Sequence, residues 1–367
     1  MKISTRKESI VQAVLLSERV TGKKESLPIL SCILIDAQEN VVVRATNLES
    51  GVDVRVPAEI EEKGKVAVMA SVLSQTLRSI NSDTVTLKTN DDGNLVIESR
   101  GTKTVIKAIP HDEFPTLSRD TSEKRGVVVL RDRFLRGLQA VIYAASPSMI
   151  RPELGSVYVS IKQGAIVCAA TDSFRLAEKT IPGGSKEGVG DILIPLKHAL
   201  ELVHILERLN TENIEVLVEE TDLDVRSDST RFISRVVDGV FPNYKEIIPK
   251  KFTTEATLLK SDLSEMLRKA RIFSGNDQHV GLHVYPGRKI FSATARSNDV
   301  GEMSDSIDAA IQGEDIDINF HIGYLGECLS SIESDSITLG FGGIGRPMVV
   351  RGVSDATFTY LVMPLNR

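Results

Sequence analysis

Apolar residues in this chain follow two spacings, one typical of helices and one typical of strands. In several windows they recur every three or four positions, as at Phe134, Leu138 and Val141, which predicts amphipathic α-helices. Between these windows, segments such as 156–161 alternate and are rich in β-branched residues, which predicts half-buried antiparallel strands. The predicted helical windows are 6–20, 71–80, 131–143, 197–208, 261–272 and 322–333.

The same order of elements repeats three times, with a period of about 125 residues. The segment 45–57 has its counterpart at 170–182, and Phe114-Pro115 recurs as Phe241-Pro242. This period is the size of a small domain and exceeds that of a solenoid unit, which has about 20–50 residues. Because strands and helices do not alternate one for one, the pattern predicts an α+β fold rather than a parallel sheet. Each of the three similar domains is expected to be an antiparallel sheet with two helices.

Polar segments near 116–125 and 249–253 follow the two Phe-Pro pairs and indicate the limits of the repeats. They place the predicted domains at 1–121, 122–250 and 251–367.

The composition is ordinary for a globular protein, since 41% of the 367 residues are hydrophobic and the formal net charge is −6. The chain has no run of about 18 apolar residues, and its first residues lack the apolar core of a signal peptide. A cytoplasmic protein without a membrane span is therefore expected. Cys32, Cys168 and Cys328 lie in apolar stretches, which is typical of reduced, buried thiols.

Four segments, together with the threefold repeat, resemble the bacterial DNA polymerase III β subunits, the sliding clamps. They are Leu-Pro-Ile-Leu at 27–30, Thr-Asp-Ser-Phe-Arg-Leu at 171–176, Phe-Pro-Asn-Tyr at 241–244 and Tyr-Leu-Val-Met-Pro-Leu-Asn-Arg at 360–367. The resemblance covers the whole chain, in order and in length. It implies three DNA-clamp domains, a head-to-tail homodimer that closes a ring around duplex DNA, and a role as a processivity factor in DNA replication.

A size estimate independently favours two chains per ring, if two helices per domain line the hole. With helices packed about 10 Å apart, six helices leave roughly 9 Å free, which is too narrow for a duplex. Twelve helices leave roughly 28 Å, which admits DNA with a layer of water. Basic residues outnumber acidic ones in the six helical windows although the whole chain is acidic. This distribution favours sequence-independent contact with phosphates over base recognition.

The resemblance also implies a groove that receives short peptides from the DNA polymerase III α subunit, the clamp loader, other DNA polymerases and repair proteins. On the residues alone, Asp172 and Arg175 could equally serve a purely structural turn, with Asp172 as a cap and Arg175 paired to a carboxylate. Phe174 and Asn366 differ from the form expected in the family, which leaves the peptide preference open. The implied groove residues are Arg151, Leu154, Thr171, Asp172, Arg175, Leu176, Pro242, Ile247, Val362, Met363, Pro364, Leu365 and Arg367.

Two further sets of residues follow from the resemblance. The implied DNA contacts are Lys23, Lys24, Arg78, Arg133, Arg136, Ser148, Arg151 and Lys197, although Lys23 and Lys24 could also belong to an ordinary solvated loop. The implied dimer interface comprises Lys103, Thr104, Ile106, Ile272, Phe273, Asp299 and Glu302, where an edge strand of one chain would continue the sheet of the other.

No sequence motif for catalysis, nucleotide binding or metal binding is present, so neither an enzyme nor a cofactor is expected. His279 and His283 are four residues apart, but they lie in a predicted strand without a third ligand. Two alternatives to a clamp remain at this point. One is a multidomain enzyme with a non-motif active site between the repeats, and the other is an interaction scaffold that never meets DNA.

Overall fold

Antiparallel strands and helices follow one another along the chain in the predicted order. The computed structural model describes residues 1–22, 27–115, 126–162, 164–182, 190–219 and 221–365. In these residues the α-helices are α1 (Lys7–Val20), α2 (Ala70–Ser79), α3 (Arg131–Val141), α4 (Leu196–Leu206), α5 (Lys260–Phe273) and α6 (Ile322–Glu327). Short 3-10 helices are Pro28–Ser31, Ile142–Ala144, Tyr244–Glu246, Pro286–Arg288 and Cys328–Ser331.

The strands are short and belong to four sheets. They are β1 (Lys2–Arg6), β2 (Cys32–Ala37), β3 (Val41–Thr46), β4 (Ser50–Val56), β5 (Ala58–Glu62), β6 (Gly64–Met69), β7 (Thr84–Thr89), β8 (Leu95–Ser99), β9 (Thr102–Ile106), β10 (Ala108–Ile109), β11 (Val127–Leu130), β12 (Ser156–Lys162), β13 (Ala165–Thr171), β14 (Arg175–Pro182), β15 (Gly190–Pro195), β16 (Asn213–Val218), β17 (Asp222–Arg226), β18 (Thr230–Arg235), β19 (Thr254–Leu259), β20 (His279–Tyr285), β21 (Ile290–Ser297), β22 (Gly301–Ile307), β23 (Ala309–Gly313), β24 (Ile316–His321), β25 (Ser336–Phe341), β26 (Met348–Gly352) and β27 (Phe358–Val362).

A helix begins within a residue of the start of each predicted window, which confirms the helical spacing of the sequence. The last window differs most, because α6 ends at Glu327 and a 3-10 helix follows it to Ser331. Gly323 and Gly326 lower the helix propensity of this short segment, which accounts for its early end. The antiparallel α+β architecture is also confirmed.

The first compact unit contains residues 1–132 and 197–236. Its five-stranded sheet has the order β5-β1-β7-β8-β9, and its nine-stranded sheet has the order β10-β6-β2-β3-β4-β18-β17-β16-β11. In the larger sheet β4 pairs with β18, so that Ser50 lies opposite Ser234 and Val54 lies opposite Thr230. A strand of the first repeat is therefore hydrogen-bonded to a strand of the second in one continuous sheet.

The second compact unit contains residues 133–196 and 237–367 and is built on the same plan. Its nine-stranded sheet has the order β15-β12-β13-β14-β27-β26-β25-β19-β23, and its four-stranded sheet has the order β22-β21-β20-β24. Here β14 of the second repeat pairs with β27 of the third, with Arg175 opposite Val362 and Lys179 opposite Phe358. We call the pairings β4·β18 and β14·β27 the first and the second seam.

The apolar faces of the helices form the cores, as Phe134 and Leu138 on α3 illustrate by their complete burial. The three cysteines are free and buried, which confirms the sequence prediction. Burial raises the pKa of Cys168 to about 12, because the thiolate is disfavoured away from water, so this thiol is unreactive. Among the described helices, none is long and apolar enough to cross a membrane.

Gly137 marks the closest approach of α3 to its sheet, and its replacement is the first test of this packing. A Cβ atom at this position would lie 2.7 Å from Ile181 Cδ1 and 2.8 Å from Cys168 Sγ. Gly137→Ala is therefore expected to lower the free energy of unfolding by about 1–3 kcal/mol, as overpacking does in cores. Urea denaturation measures the change.

The matched control is Gly326→Ala, because a Cβ on Gly326 in α6 would meet nothing within 4 Å. This substitution is expected to be neutral or to stabilise by about 0.5–1 kcal/mol, since alanine favours a helix over glycine. Equal stability of the two variants would contradict the proposed contact of α3 with β13 and β14.

Candidate functional site

The turn 171–175 is fixed by its own polar side chains. Thr171 Oγ1 donates to the carbonyl oxygen of Arg175 over 2.6 Å. Asp172 Oδ1 accepts hydrogen bonds from the amides of Phe174 at 2.9 Å and Arg175 at 3.0 Å. Ser173 adopts a positive φ of 79° at the tip, and these bonds compensate for that conformation. As a result, the side chain of Phe174 is exposed while that of Arg175 points inward and is buried.

The guanidinium group of Arg175 is held on several sides. Its Nε donates to Asp172 Oδ2 at 2.9 Å, and its NH1 pairs with Glu327. Its Cζ lies 4.2 Å from the ring centre of Tyr324, which is within the range of a cation–π contact. The structural role weighed for Asp172 and Arg175 is therefore present. Both residues shape the turn, and the charge of Arg175 is paired with carboxylates of the chain itself.

Residues 363–365, called the chain end below, follow β27 and begin directly beside this turn. Strand β27 pairs with β14, so that Leu361 lies opposite Leu176. Beyond the strand, the amide of Met363 donates to the carbonyl oxygen of Phe174 at 2.8 Å, and the amide of Leu365 donates to that of Asn319 at 2.8 Å. The structure thus brings together two predicted parts of the groove that are far apart in sequence.

An apolar cluster underlies the turn and the chain end. Its buried members are Ala169, Leu176, Tyr244, Val349 and Leu361. Half-buried side chains pack against it, and they include Met363, Phe241 and Tyr158. The rings of Tyr158 and Phe241 stack with their centres 5.0 Å apart. Burial, together with a hydrogen bond to Glu178, raises the pKa of Tyr244 far above its usual range, so its hydroxyl stays protonated.

Arg151, Leu154, Pro242 and Ile247, which were also predicted to line the groove, lie on the same unit as the turn. Leu154 is buried, and its amide donates to the carbonyl oxygen of Arg151 at 3.0 Å. Arg151 itself is exposed and pairs with Glu153 at 3.1 Å. Pro242 is half-buried and Ile247 is exposed. Arg367 lies outside the described residues.

Sequence reasoning missed several residues that build this region. Tyr244 was present in the Phe-Pro-Asn-Tyr segment but was not selected, although its ring is part of the cluster. Glu327 and Tyr324, which hold Arg175, lie on the second helix of the third repeat. Only the threefold repeat could have pointed to them, because they are about 150 positions from their partner.

The candidate DNA contacts are surface residues where the structure describes them. Lys23 and Lys24 lie outside the described residues. Arg133 donates to the carbonyl oxygen of Pro182 at 2.7 Å, and Lys197 Nζ lies 3.9 Å from Glu201 Oε1. The exposed side chains of this set are those of Arg78, Arg133, Arg136, Ser148, Arg151 and Lys197.

Strand β9, which contains the predicted interface residues Lys103, Thr104 and Ile106, ends the five-stranded sheet. Within the described residues it pairs with β8 only. Ile106 is 5% exposed and belongs to the core of its own sheet, whereas Val105 is 53% exposed. Because neighbouring side chains on a strand point to opposite faces, Lys103 and Val105 form the accessible face.

Strand β22 similarly ends the four-stranded sheet in the described part of the chain. Ile272, at the end of α5, is 63% exposed, and Phe273 is half-buried. A Cβ on Gly301, the first residue of β22, would lie 3.9 Å from the Phe273 ring. Asp299 and Glu302 are exposed nearby in sequence.

His283 of the third repeat has two side-chain partners within its own sheet. His283 Nδ1 lies 2.6 Å from Asp317 Oδ1, and His283 Nε2 lies 2.8 Å from Thr294 Oγ1. A hydrogen bond from Tyr285, followed by that of His283, holds the pKa of Asp317 below its usual range. Over the described residues, no group of three or more His, Cys, Asp or Glu side chains is arranged to bind a metal.

Comparison with known proteins identifies the family. Models of the DNA polymerase III beta subunit match the N-terminal domain at residues 1–118, the central domain at 129–243 and the C-terminal domain at 245–366. The beta sliding clamp of Bacillus subtilis is 25% identical, with all of both chains covered.

Solved structures agree with this assignment at the level of the fold. The beta subunit of DNA polymerase III from Thermotoga maritima has a TM-score of 0.93 at 24% identity and covers 100% of this chain and 99% of its own. The DNA polymerase sliding clamp from Bacillus subtilis has a TM-score of 0.92 at 24% identity with the same coverage. The chain belongs to the DNA polymerase III beta subunit family.

Proposed function

We propose that this protein is a DNA sliding clamp, a ring-shaped processivity factor that encircles duplex DNA and tethers the replicative polymerase. Membership of the beta subunit family supports this function, and its curated relatives are named beta sliding clamps. The domains proposed for the ring are 1–121, 122–250 and 251–367. The protein acts by holding its partners on DNA, and the proposal includes no catalytic step and no cofactor.

The observation that carries the proposal is that β9 and β22, the counterparts of the seam strands β18 and β4, have no seam partner within the described residues. The first seam joins β4 of the first repeat to β18 of the second repeat. The second seam joins β14 of the second repeat to β27 of the third repeat. The sheet β24-β20-β21-β22 has the same order as β6-β2-β3-β4, and β9-β8-β7-β1 has the same order as β18-β17-β16-β11. Pairing β22 of one copy with β9 of another therefore produces a third sheet of the same design.

This pairing is head to tail, and two copies that each use both edges close on themselves. Closure removes exposed strand edges, which would otherwise promote aggregation. The proposed homodimer interface contains Lys103, Thr104, Ile106, Ile272, Phe273, Asp299 and Glu302, with Val105 as the exposed apolar side chain of β9. Lys103 and the acidic pair Asp299 and Glu302 have opposite charges, which favours the correct orientation on encounter.

The proposed DNA contacts are mostly basic side chains that can approach phosphates. Arg78, Arg133, Arg136 and Lys197 are exposed. Lys23 and Lys24 belong to the same proposal and lie outside the described residues. Contact of this kind is independent of sequence and weakens with salt, because binding releases counterions from DNA. Such loose contact suits a ring that must slide.

The proposed partner groove consists of the turn 171–175, the chain end and the apolar cluster beneath them. The unbranched side chain of Met363 can adapt to different ligands. Together with the exposed Phe174 and Ile247 it offers apolar surface to an anchor side chain. Short peptide segments of the DNA polymerase III α subunit, the clamp loader, other DNA polymerases and repair proteins are the proposed ligands. No observation favours the alternative of a multidomain enzyme.

Retention on circular DNA tests the proposed function. The protein is loaded onto a nicked plasmid by a clamp loader with ATP, and the plasmid is isolated by gel filtration. We expect the protein to stay with the circle and to be released when a restriction enzyme cuts it, since a ring can then slide off an end. Equal retention on circular and linear DNA would contradict an encircling ring.

The control is direct binding to linear duplexes of different sequence at two salt concentrations. A clamp is expected to bind all of them weakly and equally, with lower affinity at the higher salt concentration. A strong preference for one duplex would instead indicate base recognition.

A further inference from the structure

A cleft of about 550 Å³ lies within the second unit and has no role in the proposed function so far. One wall is a face of the nine-stranded sheet, where Tyr158, Ser160 and Lys162 follow one another at alternate positions of β12. The other wall is the segment 239–245, which leads into the Phe-Pro-Asn-Tyr motif. We call this space the outer cleft.

The sheet face that lines the outer cleft is opposite to the face that α3 covers. A Cβ atom on Gly137 of α3 would lie 2.8 Å from Cys168 Sγ, so Cys168 faces the helix. Val167, the preceding residue of β13, therefore points away from α3, and it lines the cleft. Ser160 lies opposite Val167 in the antiparallel pair and shares its face. The cleft is thus outside the core that the helix covers.

Aromatic and apolar side chains line one part of the outer cleft. The ring of Tyr158 stacks on that of Phe241, with the centres 5.0 Å apart and the planes 15° apart. Both side chains are half-buried, so part of each ring is accessible. Val240, the residue before Phe241, is 88% exposed and adds further apolar surface. An apolar side chain of a ligand can cover this surface and exclude water from it.

The charged side chains of the outer cleft expose more positive than negative charge. The side chains of Lys162 and Lys245 are 66% and 68% exposed. Their carboxylate partners are less accessible, since Asp191 is 47% exposed and Glu178 is 16% exposed. Asp191 also accepts a hydrogen bond from Ser160 at 2.6 Å. A carboxylate of a ligand can therefore approach the two ammonium groups from their solvent side.

The outer cleft meets the proposed partner groove at Pro242. This residue lines the cleft and is also one of the proposed groove residues. Tyr244 lines the cleft too, and it belongs to the apolar cluster on which Met363 packs. Tyr158 and Phe241 pack on the same cluster. A peptide bound in the groove can therefore continue into the cleft along one connected surface.

We propose that the outer cleft receives the residues that flank the anchor of a partner peptide. An aromatic or aliphatic side chain of this flank lies beside Tyr158 and Phe241, and acidic side chains lie near Lys162 and Lys245. The inference rests on the partner groove of the proposed function and adds a second point of recognition to it. From Tyr158 to Lys162 the strand spans about 13 Å, so about four extended peptide residues fill the cleft.

Peptides of two lengths test the inference by fluorescence anisotropy. The core peptide is the short anchor segment of a DNA polymerase III α subunit, and two longer peptides carry Phe-Gly-Asp-Glu added at one end or at the other. We expect one of the longer peptides to bind about tenfold more tightly than the core peptide, through the added apolar and charged contacts.

Replacement of the two cleft lysines locates this gain. The double variant Lys162→Gln with Lys245→Gln should lose most of the gain and should bind the core peptide normally. The matched control, Lys269→Gln with Lys289→Gln, removes two other exposed lysines of the same unit and should keep the gain. Benzoylphenylalanine in place of the added phenylalanine should form photoadducts with residues 158–162 or 239–245, which mass spectrometry identifies.

The core peptide separates this inference from the proposed function. Equal affinities of all three peptides for the intact protein, a gain that survives in the cleft variant, or photoadducts elsewhere would each overturn the outer cleft and leave the groove in place. A smaller assembly of the cleft variant in light scattering would show that a second copy covers the cleft, and would overturn the inference as well. Failure of the core peptide to bind the folded protein would overturn the proposed groove, and the inference with it.

Discussion

Replacing both Ile272 and Phe273 by alanine is expected to convert the protein from a dimer to a monomer. Ile272 presents an exposed aliphatic side chain at the end of α5, and Phe273 packs beside Gly301 at the start of β22. Full burial of such a side chain contributes about 1.5–3 kcal/mol, so the double substitution removes up to about 6 kcal/mol from each contact between subunits. A closed dimer has two such contacts, and the loss counts twice.

Light scattering across a concentration series measures this effect. The matched control is Ile344→Ala with Val353→Ala, which removes comparable apolar surface from two other exposed positions of the same unit. The control should remain dimeric, and a melting curve of the double variant should show that its fold is intact. If the folded variant of Ile272 and Phe273 stays dimeric at the same concentrations as the control, these residues do not form the subunit contact.

Strand β9, on the other side of the proposed interface, shows which features the sequence predicted and which it did not. The segment 103–106 was predicted to be an edge strand, and β9 is the last strand of its sheet in the described residues. The apolar side chain chosen from it was Ile106, which the structure places in the core, while Val105 is the exposed one. Side chains on a strand point alternately to its two faces, and the sequence pattern alone did not show which face of this strand is exposed. The place of Ile106 at the dimer interface stays a prediction.

Contacts that are local in sequence were predictable from the residues alone. The possibility that Asp172 caps its own turn follows from its spacing to Phe174 and Arg175, and the hydrogen bonds are present. The stacking of Tyr324 on Arg175 could not be inferred in this way, because tertiary packing brings these distant residues together. The same holds for the bond between Ser50 and Glu201 at the first seam.

The repeat itself carries more structural information than any single motif. It gives two complete examples of a seam within one chain, each with a paired strand, a hydrogen-bonded turn and a covering helix. The strands β9 and β22, which correspond to the two strands of a seam, each end a sheet in the described residues. The two seams bury polar and apolar side chains within the chain. Association of two copies would bury the edges of β9 and β22 in the same way.

Deleting residues 363–367 is expected to abolish the binding of partner peptides while leaving the three domains folded. The deletion removes Met363, which packs on the cluster around Leu176 and Leu361, and it removes the amide that bonds to Phe174. Strand β27 ends at Val362 and keeps its pairing with β14 and β26. Anchor side chains dominate interfaces of this type, so the loss should exceed about 2 kcal/mol, or roughly thirtyfold in affinity.

Fluorescence anisotropy with a labelled peptide from a DNA polymerase III α subunit measures the loss. Met363→Ala keeps the backbone of the chain end. It should lower the affinity for the peptide by less than the deletion does, because the other residues of this groove wall remain. Val353→Ala, at an exposed valine elsewhere in the same unit, is the matched control and should bind normally. Melting curves and light scattering establish that each variant is folded and dimeric. Unchanged affinity in a folded, truncated dimer would place the peptide site away from the turn 171–175, since no ligand could use that site without its second wall.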